Sequence, residues 1–209
     1  RDNMGNWSGL SNCVRAHCIQ NQVITFRDDS LEAVIRSHLN RPNGDIWISD
    51  VDTIHELNGE DAGIVDLDGM QFFSELSMLH LSDNSIVDLT PLSGLIKLGA
   101  LHLRANQFTS ISPISGLVNL EGISAGDGPL ANISPIINLT KLKQVNFGAC
   151  QVTDFTPLQS LTELEFIYVA NNQIGNLSFI AGLSKLKSLY CGNTQLSDIS
   201  PLIGHADLE

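Results

Sequence analysis

Gly122-Ile123-Ser124-Ala125-Gly126 matches G-x-S-x-G, the elbow in which a serine nucleophile tops a strained turn between a strand and a helix. A hydrolase built on it would need a general base within reach of the Ser124 hydroxyl. His80 and His102 offer two imidazoles, side chains that ligate metals and titrate near neutral pH. Cys13, His17 and Cys18 form a tight group open to three readings: a disulfide closing a short loop, a metal site with no evident fourth ligand, or free thiols. His55-Glu56 lacks the second histidine of a zinc-protease motif, and there is no phosphate loop or dinucleotide fingerprint.

The elements that hold these residues are set by an internal period of 22. Leu76, Leu98, Leu120, Leu142, Leu164 and Leu186 recur at that step without insertion or deletion. So do Leu79, Leu101, Ile123, Val145, Ile167 and Leu189, and likewise Leu81, Leu103, Ala125, Phe147, Val169 and Cys191. Pro91, Pro113, Pro135, Pro157 and Pro201 make a proline column broken only by Phe179. L-x-x-L-x-L-x-x-N at such a period is the leucine-rich-repeat signature. It predicts a right-handed solenoid, a horseshoe of α/β class, with one short strand per repeat in a parallel sheet on the concave face. The prolines disfavour regular helices on the return path, so the convex side should be turns and 3₁₀ pieces.

Asn84, Asn106 and Asn172 should satisfy backbone groups at the bend after each strand, with Gly128, Cys150 and Thr194 in the other copies. Cys150 and Cys191 read as buried free thiols. Residues 1–44 read as an amino-terminal cap, 45–72 as a degenerate first repeat, 73–204 as six regular repeats and 205–209 as a truncated repeat or artificial tail. Within the cap, Asp29-Ser30-Leu31-Glu32 resembles a helix start with an acidic N-cap, and Leu31, Val34, Ile35 and Leu39 share one face. Asp45-Ile46-Trp47-Ile48-Ser49 alternates like a strand that would pair with the first repeat.

Strand alternation also enumerates the solvent side of the sheet. Its central column is His80, His102, Ser124, Asn146, Tyr168, Tyr190; the columns beside it run Met78, Ala100, Gly122, Gln144, Phe166, Ser188 and Ser82, Arg104, Gly126, Gly148, Ala170, Gly192. Phe166, Tyr168 and Tyr190 cluster next to small residues and form an accessible apolar shelf, with Gln144 and Asn146 beside it. A downstream segment covering this shelf is the alternative reading of the same patch. His80 and His102 should lie about 4.8 Å apart, with Arg104 beside them to face an acidic partner. A two-histidine metal site is weak, and a pH-dependent contact fits the pair better. Ser124 falls within a strand, where the elbow geometry is missing.

The composition narrows the partners. Eleven Lys and Arg against 23 Asp and Glu give a net charge of -12, which argues against nucleic acid. No apolar run approaches the roughly 18 residues of a membrane span. Sequons at Asn6, Asn132, Asn138 and Asn176 are expected from the Asn, Ser and Thr bias of the repeat itself.

The unit Leu76-x-x-Leu79-x-Leu81-x-x-Asn84-x-Ile86-x-Asp88-Leu89-x-Pro91-Leu92 resembles the 22-residue repeat of bacterial internalin-like leucine-rich-repeat proteins, over roughly residues 45 to 204. The helical segment before it is similar to the caps of that class. The resemblance implies a secreted or surface-attached domain that binds proteins through its concave face. The expectation is thus a non-enzymatic, monomeric recognition module for a protein or glycan on a host or neighbouring cell, without catalytic residue, metal or cofactor. An intracellular scaffold or regulatory subunit is the alternative reading, and a serine hydrolase using Ser124 the remote one. A Cys13–Cys18 disulfide would accompany the exported reading.

Overall fold

The computed structural model describes residues 21–205 and residue 208. Cys13 and Cys18 lie outside the described residues. Seven three-residue strands form one parallel sheet in sequence order: β1 Glu56–Asn58, β2 Met78–His80, β3 Ala100–His102, β4 Gly122–Ser124, β5 Gln144–Asn146, β6 Phe166–Tyr168 and β7 Ser188–Tyr190. Each pairs in register with the next one repeat later, so that Leu57, Leu79, Leu101, Ile123, Val145, Ile167 and Leu189 face one another in a row. All but Leu189 are buried. Every return path is a short 3₁₀ turn, and in five of them proline occupies the first positions, as its fixed φ and missing N–H favour. This is the leucine-rich-repeat solenoid that the period predicts.

Three residues beyond each strand the chain takes a left-handed conformation: Asp61, Asp83, Ala105, Asp127, Ala149, Asn171 and Asn193 have φ between 51° and 58°. Their N–H groups still reach the following repeat, as in Asp83 to Arg104 O at 2.8 Å. The chain then turns inward onto the asparagine ladder. Asn106 Nδ2 donates to Leu81 O at 2.8 Å and Leu103 O at 3.0 Å, while its Oδ1 accepts Ile86 N–H at 2.9 Å. Asn84 makes the same set one repeat earlier. Cys150 takes over part of the role, donating its thiol to Ala125 O at 3.5 Å. Cys150 and Cys191 are free, but half-buried rather than buried. Cys191 lies in the last described repeat, where Leu189 and Leu196 are also half-buried and no later repeat stacks on them among the described residues.

The cap helix α1 spans Asp29–His38 and buries Leu31 and Ile35. Its N-cap is Asp28, not Asp29, because Asp28 does two jobs. Its Oδ1 accepts Leu31 N–H at 2.9 Å, and its Oδ2 accepts Val65 N–H at 2.6 Å and Asp66 N–H at 2.9 Å from the first repeat. The strand expected at 45–49 is absent. Trp47 makes an isolated antiparallel bridge with Val23, and the helical turn α2 begins at once over Ile48–Val51. The Asp50 carboxylate accepts Trp47 N–H at 2.8 Å and ends the extended stretch there, with Ile46 and Val51 both buried.

Candidate functional site

The sheet's solvent face is the candidate binding surface. Alternation places Phe166 and Tyr168 outward on β6 and Tyr190 outward on β7, with 39%, 39% and 59% of their surface exposed. The Tyr168 and Tyr190 rings lie 5.6 Å apart at 32°. Together with Gln144, Asn146, Ser124 and His102 they bound a hollow of about 320 Å³. The Tyr168 ring that bounds it is packed on bare backbone. A β-carbon at Gly148 would fall 2.3 Å from Tyr168 Cε1, so the ring lies directly on that backbone. Asn146 Oδ1 accepts Gly148 N–H at 3.0 Å, which holds the backbone beneath the ring in place. Ser82 and Ala170, expected on the surface, are buried, because the chain has already begun to turn inward at that column.

At the other end, His80 and His102 stack with ring centroids 4.6 Å apart and planes within 2°. Burial, then the neighbouring His80, holds the His102 imidazole below the ordinary histidine value, and Glu60 offsets part of this. Glu56 Oε1 approaches His80 Nε2 at 3.8 Å. Among the described residues, no group of three or more His, Cys, Asp and Glu side chains is placed to hold a metal ion. Arg104 already has a partner within the chain. Its Nε donates to Asp127 Oδ2 at 2.5 Å, and that bond, with the Asp127 charge, pushes its basicity further up.

Ser124 lies inside β4, with His102 and Asn146 as its partners on β3 and β5. No strand-to-helix turn presents its hydroxyl. Burial pushes the Cys150 thiol up to about 11, away from nucleophilic use.

The alternation reading missed a charge ladder at the same period. Lys143 pairs with Glu121 at 2.7 Å, Lys185 with Glu163 at 2.7 Å, Lys187 with Glu165 at 2.5 Å, and Lys97 with Glu75. Stepping by 22 from Glu75 and from Glu121 would have found it. A second missed column accounts for two of the four sequons: Asn132 and Asn176 accept the N–H two residues on, as Asp88, Asp154 and Asp198 do, and so open their 3₁₀ turns.

These features define the chain as a leucine-rich-repeat protein. A family model described as Leucine Rich repeats (2 copies) matches residues 162–204. No curated protein matches the sequence. Among solved structures, internalin C2 from Listeria monocytogenes is similar at 29% identity and a TM-score of 0.74, over 92% of this chain and 97% of that one. Internalin F from the same organism shows 25% identity and a TM-score of 0.64, over 88% and 68%. Internalin J from that organism, whose functional domain includes a cysteine ladder, shares the fold at 18% identity and a TM-score of 0.70, over 90% and 46%. The chain therefore has a leucine-rich-repeat fold similar to that of these bacterial internalins. Domains of this fold commonly mediate protein–protein contacts. No helix among the described residues is long and apolar enough to cross a membrane.

Proposed function

We propose that this chain is an extracytoplasmic recognition module that binds a protein partner through the aromatic end of its sheet face. The observation that carries the reading is the group Phe166, Tyr168 and Tyr190, exposed around one hollow on a pre-formed sheet face. Large aromatic rings left in water on a rigid sheet gain most when a partner covers them, and tyrosine keeps a hydrogen-bonding tip in the contact. The rigid array needs no ordering on binding, which lowers the entropic cost of association. Extracytoplasmic placement rests on likeness to the internalins and leads to an oxidised Cys13–Cys18 pair; peptide mapping of alkylated native protein tests it.

The test of the site is the double variant Tyr168→Ala with Tyr190→Ala. It should lose capture of partners from a membrane-protein extract of host or neighbouring cells while melting where the wild type does. Undiminished capture by the double variant would contradict the site.

A further inference from the structure

Resting on that reading of the sheet face, we infer that its partner is a polypeptide making two contacts. A large apolar or aromatic side chain enters the Phe166–Tyr168–Tyr190 hollow, and a lysine or arginine sits at the amino-terminal end among Glu56, Glu60 and the His80–His102 stack.

The basis is an asymmetry of charge along the array. From the third strand onward, acids at the margins of the face are neutralised: Glu121 by Lys143, Glu163 by Lys185, Glu165 by Lys187 and Asp127 by Arg104. At the first two strands Glu75 pairs with Lys97, while four other acids stay open. Among the described residues, Glu56, Glu60, Asp61 and Asp83 make no ion pair with lysine or arginine, and the nearest such contact is the neutral-or-charged His80 beside Glu56. The face is therefore apolar and neutral at one end and anionic at the other. A basic side chain on the partner complements the anionic end and would steer the encounter. Four strand spacings separate β2 from β6, about 19 Å, which an extended segment spans in roughly six residues.

The stacked imidazoles make the basic contact pH-dependent. Facing them are Glu56 and Asn58 of β1, Glu60 just after it, and Ser124 of β4. Protonating the His102 ring adds a positive charge near Glu60 and repels the partner's basic side chain. Binding should weaken as pH falls through the histidine range.

A displayed library of random 12-residue peptides, selected on the immobilised chain at pH 7.5 and low salt, tests this. The expected winners carry a Lys or Arg about six residues from a Trp, Tyr, Phe or Leu. Glu56→Gln with Glu60→Gln should weaken them about fivefold, as should pH 5.5, and Tyr168→Ala with Tyr190→Ala should abolish them. Winners that need the tyrosines but ignore the glutamate variants would overturn this inference and leave the aromatic site standing. Winners indifferent to both, or no enriched peptide alongside ligands from a glycan array, would overturn both.

Discussion

The Tyr168 ring rests on the backbone of Gly148: a β-carbon there would approach Cε1 to 2.3 Å and Cδ1 to 2.6 Å. Gly148→Ala must therefore displace the ring that bounds the hollow. A tyrosine side chain can swing into solvent, so the expected result is a melting temperature within a few degrees of wild type and a clear loss of partner binding. Gly126→Ala should behave in the opposite way. Its β-carbon would lie 2.6 Å from Gly148 O, which is backbone and cannot swing aside. It should destabilise by roughly 1–3 kcal/mol in urea unfolding.

Asparagine ladder variants should rank by the hydrogen bonds they lose. Asn106→Ala strands the buried Ile86 N–H and the Leu103 carbonyl, while Leu81 O keeps its bond from Asn84, and should cost roughly 2–4 kcal/mol. Asn172→Ala should cost less, because Asn172 Oδ1 has no partner to begin with. Equal losses in urea titrations would show that the donor side alone sets the value.

Asp28 ties the cap to the first repeat. Burial pushes its carboxyl up, but N–H donation from Asp66, Val65 and Leu31 outweighs this and holds it below the ordinary 3.8. A depressed carboxylate contributes stability that is present above its unfolded value and is lost as pH falls through the folded one. Asp28→Ala should lower stability near neutral pH by about 1–2 kcal/mol and make the acid side of the pH–stability curve shallower. Hydrogen exchange should show α1 opening before the repeats do.

The repeats were legible in the sequence because a fixed step projects every residue onto a column, and columns become rows of a sheet. The aromatic cluster and the histidine pair followed directly, and the rings stack at 4.6 Å, close to the strand spacing. The cap was harder, since it is used once and has no second copy to fix its register. Ile46 and Ile48 alternate like strand residues, but one side-chain bond from Asp50 to Trp47 N–H decides for a helical turn. Arg104 appeared free because its partner Asp127 lies 23 residues on, one step outside the period.

The His80–His102 stack should also leave a mark on stability. Burial and its neighbour lower the folded value of His102, so the unfolded chain binds a proton more readily between the two values. Stability should be complete above about pH 6.5 and decline as pH falls below it. His102→Gln should flatten that decline in denaturation curves between pH 5 and pH 7. An unchanged slope would mean that the stack carries no proton linkage.

The central claim is that the partner docks on the aromatic end of the sheet face. A photo-crosslinking phenylalanine analogue placed at Tyr190, compared with one at Val118 on an exposed return turn, tests it most directly. Irradiation in the presence of an extract that contains the partner should yield a crosslinked adduct from position 190 and none from position 118. Adducts from 118 alone would contradict the account and move recognition to the other side of the solenoid.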